Sequence, residues 1–549
     1  MLFRSVIAGL LAASCALAQL SSFPKPNYFR ETFQKTRTQV QLQPPVRLKD
    51  FVANGKLELS LKDYLALVMA NNTDIQLQLL TLEVPKNNIL SSYGLWDPKA
   101  TASFSTTRST TVPTNATTAA NAAALTKTLQ QPYSLAYTQT LSNGLQYTAQ
   151  FQGAKTSATN SFNNYNPALT SNLRMSVTQP LLQNRGSYVN RIPLMIAQVG
   201  FKIAQAQQTQ QLLNLVNTAE SAYWSVVSAR ENLKVAEAGR KNADEFLKYM
   251  QKQLDLGALS PLDIYNPQQS LAAADLTVSQ ATFNLSQAED SLRHQLGVDL
   301  DPDVRKLPIE LTESADLGPA DSAAVDPEQA IAKALMSHPA VAQATQKLDS
   351  DDLGIQSAKN GLLPNLALSM SYQSNGTGGV FDSSRSTILG GGPGVIIPGG
   401  ISDALGQMFG FSYPTYFASL TLTLPIRNHT ASAAMATALV QKKTDALNLR
   451  NQQQAIRLNV LNAATRLEGA KEQLKLARIQ LDFAQKNLDA ENTKFQLGTE
   501  INQNVINAQQ VLVQAQSAVV TNQIGVRLGL LNLLTQTGEL LDQRGIVVK

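Results

Sequence analysis

Residues 212–261 read LLNLVNTAESAYWSVVSARENLKVAEAGRKNADEFLKYMQKQLDLGALSP, and reading them in steps of seven decides the fold. One row is Leu212, Ala219, Val226, Leu233, Arg240, Leu247 and Leu254; the row three residues on is Leu215, Ala222, Ala229, Ala236, Ala243 and Met250. Apolar residues at both positions over so many heptads, with Arg240 the one exception, specify a coiled-coil helix. Gly257 breaks the pattern, Ser260-Pro261 restarts it, and Ile264, Leu271, Val278, Leu285 and Leu292 run on at sevens. Pro193 to Gly297 is therefore expected to be a long helical hairpin with its tip at Leu256–Pro261. The rise from Pro193 to Leu256 alone gives roughly 96 Å of helix, which must project rather than sit inside a globule.

Moving every number up by 241 finds the stretch a second time. The rows become Gln453, Val460, Leu467, Leu474, Leu481, Leu488, Phe495 and Ile456, Ala463, Ala470, Ala477, Ala484, Glu491. The break falls on Gly498, and the return helix carries Val505, Leu512, Val519, Val526 and Leu533. Self-similarity on this scale reads as an internal duplication.

Working outward, each hairpin is preceded by a helical stretch and then by alternating segments. In the first half Leu61, Leu65, Val68 and Met69, continued by Ile75, Leu79 and Leu82, fall at helical spacing, with Pro85 expected to interrupt the helix. After Pro98 the period changes to two: Ala100, Ala102, Phe104; Tyr133, Leu135, Tyr137; Leu145, Tyr147, Ala149, Phe151; Leu173, Met175, Val177. Asn143-Gly144 between two such runs signals a hairpin. In the second half a helix over Val325–Gly361 is followed by Leu366, Leu368, Met370, Tyr372, a Gly-rich loop over Gly376–Gly410, and Ala418, Leu420, Leu422, Leu424. The hairpin Tyr133–Phe151 is extra to the first half. It either lengthens the strands, adds to the sheet, or lies outside it.

The domain reading is residues 1–18 a signal peptide, 19–58 an extended arm and 59–297 a first repeat. The first repeat has strands at about 100–180 and a hairpin over 193–297 with its tip near 257. Residues 298–326, rich in acids and prolines, read as a solvated linker or small interhelical patch. Residues 327–537 form a second repeat, with strands at about 364–425 and a hairpin over 430–537 with its tip near 498; 538–549 is a tail. The signal rests on Arg4, the apolar Val6–Ala13 and the small-x-small Ala16-Leu17-Ala18. Cys15, the chain's only cysteine, lies inside it, so cleavage leaves no thiol. The alternative is a lipidated Cys15, for which Ala12 makes the poorer match.

The composition suits repetitive helices packed through small residues: 549 residues, 6% aromatic and 15% charged. A net charge of +5 with no Lys/Arg run gives no basic stripe, so no nucleic-acid partner is expected. Only His294, His338 and His429 occur, far apart, and Gly391-Gly392-Pro393-Gly394 lacks the Lys-Ser/Thr of a phosphate loop. No enzyme, metal or cofactor is expected. No stretch after the signal reaches about eighteen uninterrupted apolar residues. The alternating segments, by contrast, approach the nine to eleven residues that cross a bilayer obliquely. An open sheet in lipid leaves its edges unpaired, so the barrel must close, and the strands of one chain are too few to close a pore. Several chains must share one barrel.

The duplicated helix–strand–loop–strand–hairpin order, Thr178-Gln179-Pro180-Leu181-Leu182 at the strand-to-helix exit, and the tips Leu256-Gly257-Ala258 and Leu497-Gly498-Thr499 together resemble the TolC-type outer-membrane efflux proteins. The resemblance covers essentially the whole mature chain. It implies a mixed α and β membrane protein: a homotrimer whose protomers give four or more strands each to a shared β-barrel, twelve in the simplest version. A long periplasmic α-helical coiled-coil barrel continues it. The implied function is the outer-membrane exit duct of a tripartite efflux or type I secretion system, exporting small molecules or proteins passively. The implied partners are outer-membrane lipid, a periplasmic adaptor and an inner-membrane transporter. The alternative is a periplasmic coiled-coil scaffold or adaptor.

The same resemblance places a gate at the tips. Asp263 holds an acidic position, with Asn266 three residues later; in the second copy the acidic positions fall on Asn504 and Asn507. Glu500 stands where the pattern has a basic residue and Phe495 where it has a tyrosine. Leu256, Gly257, Ala258, Leu497, Gly498 and Thr499 are the expected adaptor contact. Ser260-Pro261-x-Asp263 also reads as an ordinary helix start, with Ser as N-cap and Asp in the first turn, and both roles can hold.

Overall fold

A computed structural model describes residues 52–53, 56–112, 125–159, 164–257, 260–297, 307–318, 325–383 and 394–546, all within one unit, Arg47–Lys549. The signal segment 1–18, most of the arm and Ala258 lie outside the described residues. Chain order begins with β1 (Val52–Ala53) and β2 (Lys56–Leu59), which pair antiparallel. Three helices follow: α1 (Leu61–Asn71), α2 (Thr73–Thr81) and α3 (Glu83–Tyr93). Two breaks divide this first helical stretch. At Asn72 the side-chain oxygen accepts from the backbone N–H of Asp74 and Ile75 and starts α2. At Leu82 a new helix starts so that Pro85 falls in its first turn, where its missing N–H costs nothing.

The strands are β3 (Lys99–Phe104), β4 (Thr107–Thr111), β5 (Thr126–Thr140), β6 (Gln146–Ala158) and β7 (Tyr165–Pro180). The first long hairpin is α4 (Ser187–Asp255) and α5 (Tyr265–Gln295). A short β8 (Ile309–Leu311) pairs parallel with β2, so the stretch expected to be a solvated linker contributes a strand. Then come α6 (Pro327–Ser337), α7 (Pro339–Gly361), β9 (Asn365–Asp382), β10 (Ile396–Ile397), α8 (Ile401–Phe409) and β11 (Tyr413–Thr423). The second long hairpin is α9 (His429–Gln496) and α10 (Asn502–Thr537), and α11 (Leu540–Gln543) closes the described chain.

The larger sheet settles the place of the extra hairpin: it adds to the sheet. β5 pairs with β6 and β6 with β7, so both strands stand between β3 and the second half. The order is β3–β5–β6–β7–β9–β11, with β4 extending β3 along β5 beyond a break at Ser105, and every one of these pairs is antiparallel. Successive residues of a strand face opposite sides. One cross-strand row is Ala100, Tyr137, Ala149, Met175, Tyr372 and Tyr416; the next, on the other face, is Thr101, Ala136, Gln150, Arg174, Gln373 and Thr415. The sheet thus has an apolar face and a largely polar one. Tyr133 against Phe151 and Tyr372 against Tyr416, ring centroids 5.6 and 5.3 Å apart, carry the aromatic side of the apolar face. No pair closes β11 onto β3 or β4 among the described residues, so a single chain holds an open sheet.

Three stretches differ from the sequence reading. β4 lies between the alternating runs that end at Phe104 and begin at Tyr133, where no strand was expected, and β9 runs on to Asp382 through glycines expected to be loop. Within that loop region α8 lies across β9. A Cβ on Gly376 would stand 1.9 Å from the Ala404 carbonyl oxygen and one on Gly378 2.2 Å from that of Gly400, so the glycines are there to let the helix approach. Ser374 Oγ, buried beneath, donates to the Met408 carbonyl at 2.7 Å. The first long helix also starts six residues before Pro193, which α4 carries near its N-terminal end.

The helices run as antiparallel pairs, with α7 packed against both α4 and α9. α4 has 69 residues and α9 68, each about 100 Å at 1.5 Å per residue. Leu212, Ala219, Val226, Ala236, Ala243, Leu247 and Met250 are buried, as are Val460, Leu467, Leu474, Ala477, Ala484 and Leu488. Arg240, the charged residue in the heptad row, keeps its guanidinium exposed and its Nε 2.5 Å from Asp275 Oδ1 across the hairpin. A mid-level core gathers Leu57, Leu59, Tyr64, Tyr223, Trp224, Leu292, Leu296 and Ile309. At its margin Glu220, 1% exposed, accepts from Trp224 Nε1 at 3.3 Å and from Arg544 Nε at 2.8 Å. That ion pair satisfies a carboxylate which burial alone would not tolerate.

Candidate functional site at the hairpin tips

Both long hairpins turn on a glycine in the left-handed region: Gly257 at φ +74° and Gly498 at φ +75°. Each follows the last helical turn, where a residue without Cβ reverses the chain at no steric cost. Behind the turns a second core holds the four helices together. It contains Phe246, Leu247 and Met250 of α4, Ile264 just before α5 with Leu271 of α5 packed against it, Ala484 and Leu488 of α9, and Val505, Ile506, Ala508 and Leu512 of α10. Phe495 is half-buried on this core, its ring 5.7 Å from Phe246 and 6.3 Å from Tyr249.

The α-helix after the first tip begins at Tyr265, not at Pro261 as the Ser-Pro-x-Asp pattern suggests. Ser260 Oγ does accept from the Leu262 N–H at 3.3 Å, but the backbone there makes i→i+3 turns, with Asp263 N 3.0 Å from the Ser260 oxygen. Pro267 supplies the reason. A helix starting at Pro261 would need the residue-267 N–H to donate to the Asp263 carbonyl, and proline has none. Starting at Tyr265 puts Pro267 in the first turn. The free Asp263 carbonyl accepts instead from Asn502 Nδ2 of the other hairpin at 2.9 Å. Asn502 is buried and ties the two tips together. The residue patterns gave no prominence to Asn502; a proline four residues after Asp263 was the available signal.

The side chains of Asp263 and Asn266 are both exposed. On the second tip Glu500 Oε1 accepts from the Ile501 N–H at 3.1 Å and from Asn504 Nδ2 at 2.5 Å. These two hydrogen bonds, with Lys494 nearby, hold the Glu500 carboxyl below the usual carboxylate range. The second tip therefore carries an ionised carboxylate one turn before the asparagine. Asn507 is exposed and accepts from Gln503 Nε2 at 2.9 Å. Thr499 binds back on the Lys494 carbonyl through both N–H and Oγ1, at 3.0 and 3.1 Å.

The outermost surface is apolar. Leu256 and Leu497, the residues before the two glycines, are 79% and 74% exposed, and Leu262, Tyr265 and Ile501 are exposed with them. The last three were not singled out by the tip motifs. Five large apolar groups thus lie exposed around two short turns. Away from the tips, Leu276 and Phe283 on α5 and Leu476 and Phe483 on α9 are also exposed, each pair seven residues apart. They form further apolar stripes that the chain itself leaves uncovered. Among the described residues no cluster of metal-ligating side chains occurs, and no helix is long and apolar enough to cross a membrane.

Comparison with known proteins agrees with this geometry. The family described as outer membrane efflux protein matches residues 144–298 and 330–539, more than half of the chain. The outer membrane efflux protein BepC of Brucella suis is 24% identical over 336 residues, 61% of this chain and 66% of the relative. The probable efflux pump outer membrane protein TtgC of Pseudomonas putida is 21% identical over 337 residues, 61% of this chain and 62% of the relative. The chain thus spans just under two thirds of the length of these curated relatives. Among solved structures, the Campylobacter jejuni CmeC outer membrane channel superposes with a TM-score of 0.57 at 14% identity, covering 92% of this chain and 91% of that one. The open state of the Neisseria gonorrhoeae MtrE outer membrane channel gives 0.58 at 14%, covering 87% and 89%. At such identities the likeness is one of fold.

Proposed function

As the chain belongs to the outer membrane efflux protein family, we propose that it is the outer-membrane duct of a tripartite exporter, a passive exit rather than an enzyme. The observation that carries this reading is the two-faced sheet, which runs into helices of about 100 Å with uncovered apolar stripes. A sheet with one apolar and one polar face suits a wall between lipid and water. Its open edges require further copies, and three copies, as the family resemblance implies, would close it. The two helical hairpins, read as products of an internal duplication, would then form the staves of a periplasmic tunnel. The heptad-spaced Leu276, Phe283, Leu476 and Phe483 would be covered by neighbouring protomers. Residues 1–18 would direct export.

In this reading the tip leucines Leu256 and Leu497, with Leu262, Tyr265 and Ile501, take a periplasmic adaptor, which in turn meets an inner-membrane transporter. Asp263 and Glu500 place carboxylates at the narrow end, where an acidic ring would favour cations. The test is fractionation followed by conductance. The protein should require detergent for release from outer membranes and should form ion-conducting pores in a planar bilayer. Release into the soluble periplasmic fraction without detergent would overturn the duct and leave the scaffold reading.

A further inference from the structure

We infer that β3, β4 and β5 widen the pore: each protomer gives six strands, and three protomers close an eighteen-stranded barrel through contact of the β3/β4 edge of one copy with the β11 edge of the next. The inference rests on the proposed trimeric duct and deepens it. The family match begins at residue 144, so it takes in β6, β7, β9 and β11, while β3, β4 and β5 precede it. The four matched strands would give the twelve-stranded wall of the simplest pattern. The two further strand positions, β3/β4 and β5, decide the difference.

Three observations place these strands in the wall rather than beside it. The first is register. β5 pairs with β6 from Thr128 to Thr140, all but its first two residues, and β6 with β7 from Gln146 to Thr156, so β3 reaches β7 only through the hairpin. The second is facing. The row Tyr137, Ala149, Met175, Tyr372 continues the apolar face through β5 and β6 at the height of β7 and β9, and Ala136, Gln150, Arg174, Gln373 does the same on the polar face. A hairpin folded outside a barrel would have no reason to hold that alternation. The third is direction. Six antiparallel strands make the two terminal edges run opposite ways, so edge-to-edge contact with another copy continues the antiparallel ladder. Head-to-tail contact of this kind closes a ring where the rotation between copies divides a full turn, as a third of a turn does for three copies. Unpaired backbone groups in lipid have no other partner, which commits both edges to a second copy of this chain.

With strands about 4.7 Å apart and tilted about 40°, eighteen strands give a backbone radius of about 18 Å against about 12 Å for twelve. Between equivalent sites of a trimer those radii become about 31 and about 21 Å. Spin labels on Ser176→Cys in β7 and, separately, Ala136→Cys in β5 read this directly, with Cys15 replaced by Ala. The detergent-solubilised protein is measured by double electron–electron resonance and its mass by native mass spectrometry. A trimer mass with one intersubunit distance near 31 Å at both sites is the expected result. A trimer with about 21 Å at Ser176 overturns the eighteen-stranded wall and leaves the duct reading intact. A monomer overturns the duct reading itself.

Discussion

Asn502 shows how one side chain can fix a functional end. Its amide fills the bond that Pro267 denies to the Asp263 carbonyl, and it does so from the other hairpin. Asn502→Ala should cost about 1 kcal/mol at the tip, the usual worth of such a bond. Amide exchange at residues 260–268 should quicken while the mid-level core is unchanged; equal protection there would show that water replaces the bond without loss. For the carboxylates, Asp263→Asn should weaken block of the pore by divalent cations, and unchanged block would remove Asp263 from the gate. His338 makes a different prediction. It is buried, caps α7 by accepting from the Ala340 N–H at 3.2 Å on Nδ1, and burial lowers its pKa. The unfolded chain then takes up a proton first, so this contribution is complete above the ordinary histidine value of about 6.5 and is lost as pH falls below it. His338→Asn keeps a capping oxygen and should flatten the fall in Tm between pH 7 and 5; an unchanged profile would sink the assignment. The sequence marked Asp263 and the Asn504 position, but patterns assign acids by place and not by reach. It therefore took the structure to show that the carboxylate of Glu500, in the turn before α10, lies against Asn504.

At the level of elements, legibility followed burial. The heptad rows announced α4, α9 and α10 because their stripes are buried over much of Leu212–Met250, Ile456–Leu488 and Val505–Leu533; in α5 the row is half-buried except at Leu292. The strands were legible wherever one face is apolar, as at Tyr133–Tyr137, Leu173–Val177 and Leu366–Tyr372. They were not legible at β4, Thr-Arg-Ser-Thr-Thr, or in β9 beyond Gly376, where the residues do not alternate and the partners that hold the strand lie far off in sequence. α8 was hidden for a related reason: nine residues between glycine-rich turns give too short a period to count. Its seat on β9 is nevertheless specific. Gly376→Val should overpack the crossing by about 1–3 kcal/mol. Limited proteolysis between residues 394 and 412 should then quicken about tenfold or more, with the pore still assembled. An unchanged cleavage rate would mean that the helix is held elsewhere.

For the whole molecule, the proposed duct and its proposed docking surface are separable by mutation. If the tips take a periplasmic adaptor, as proposed, Leu256→Asp combined with Leu497→Asp should abolish co-purification of that adaptor. Each lost leucine contact is worth about 1.5–3 kcal/mol, or at least about tenfold in affinity. Conductance in a planar bilayer should persist; retained adaptor binding would move the contact away from the tips. The parallel pairing of β2 with β8 carries a consequence for biogenesis. Leu57 is held opposite Ile309, across some 250 residues of intervening chain. Closing a loop of that length costs on the order of 5 kcal/mol in chain entropy before any contact compensates it. As the polypeptide emerges N-terminus first, β2 has to wait, with Leu57 and Leu59 bare, until the first long hairpin and β8 have followed it. Folding therefore has an obligatory order, in which β2 docks only after the chain of the first long hairpin has been made.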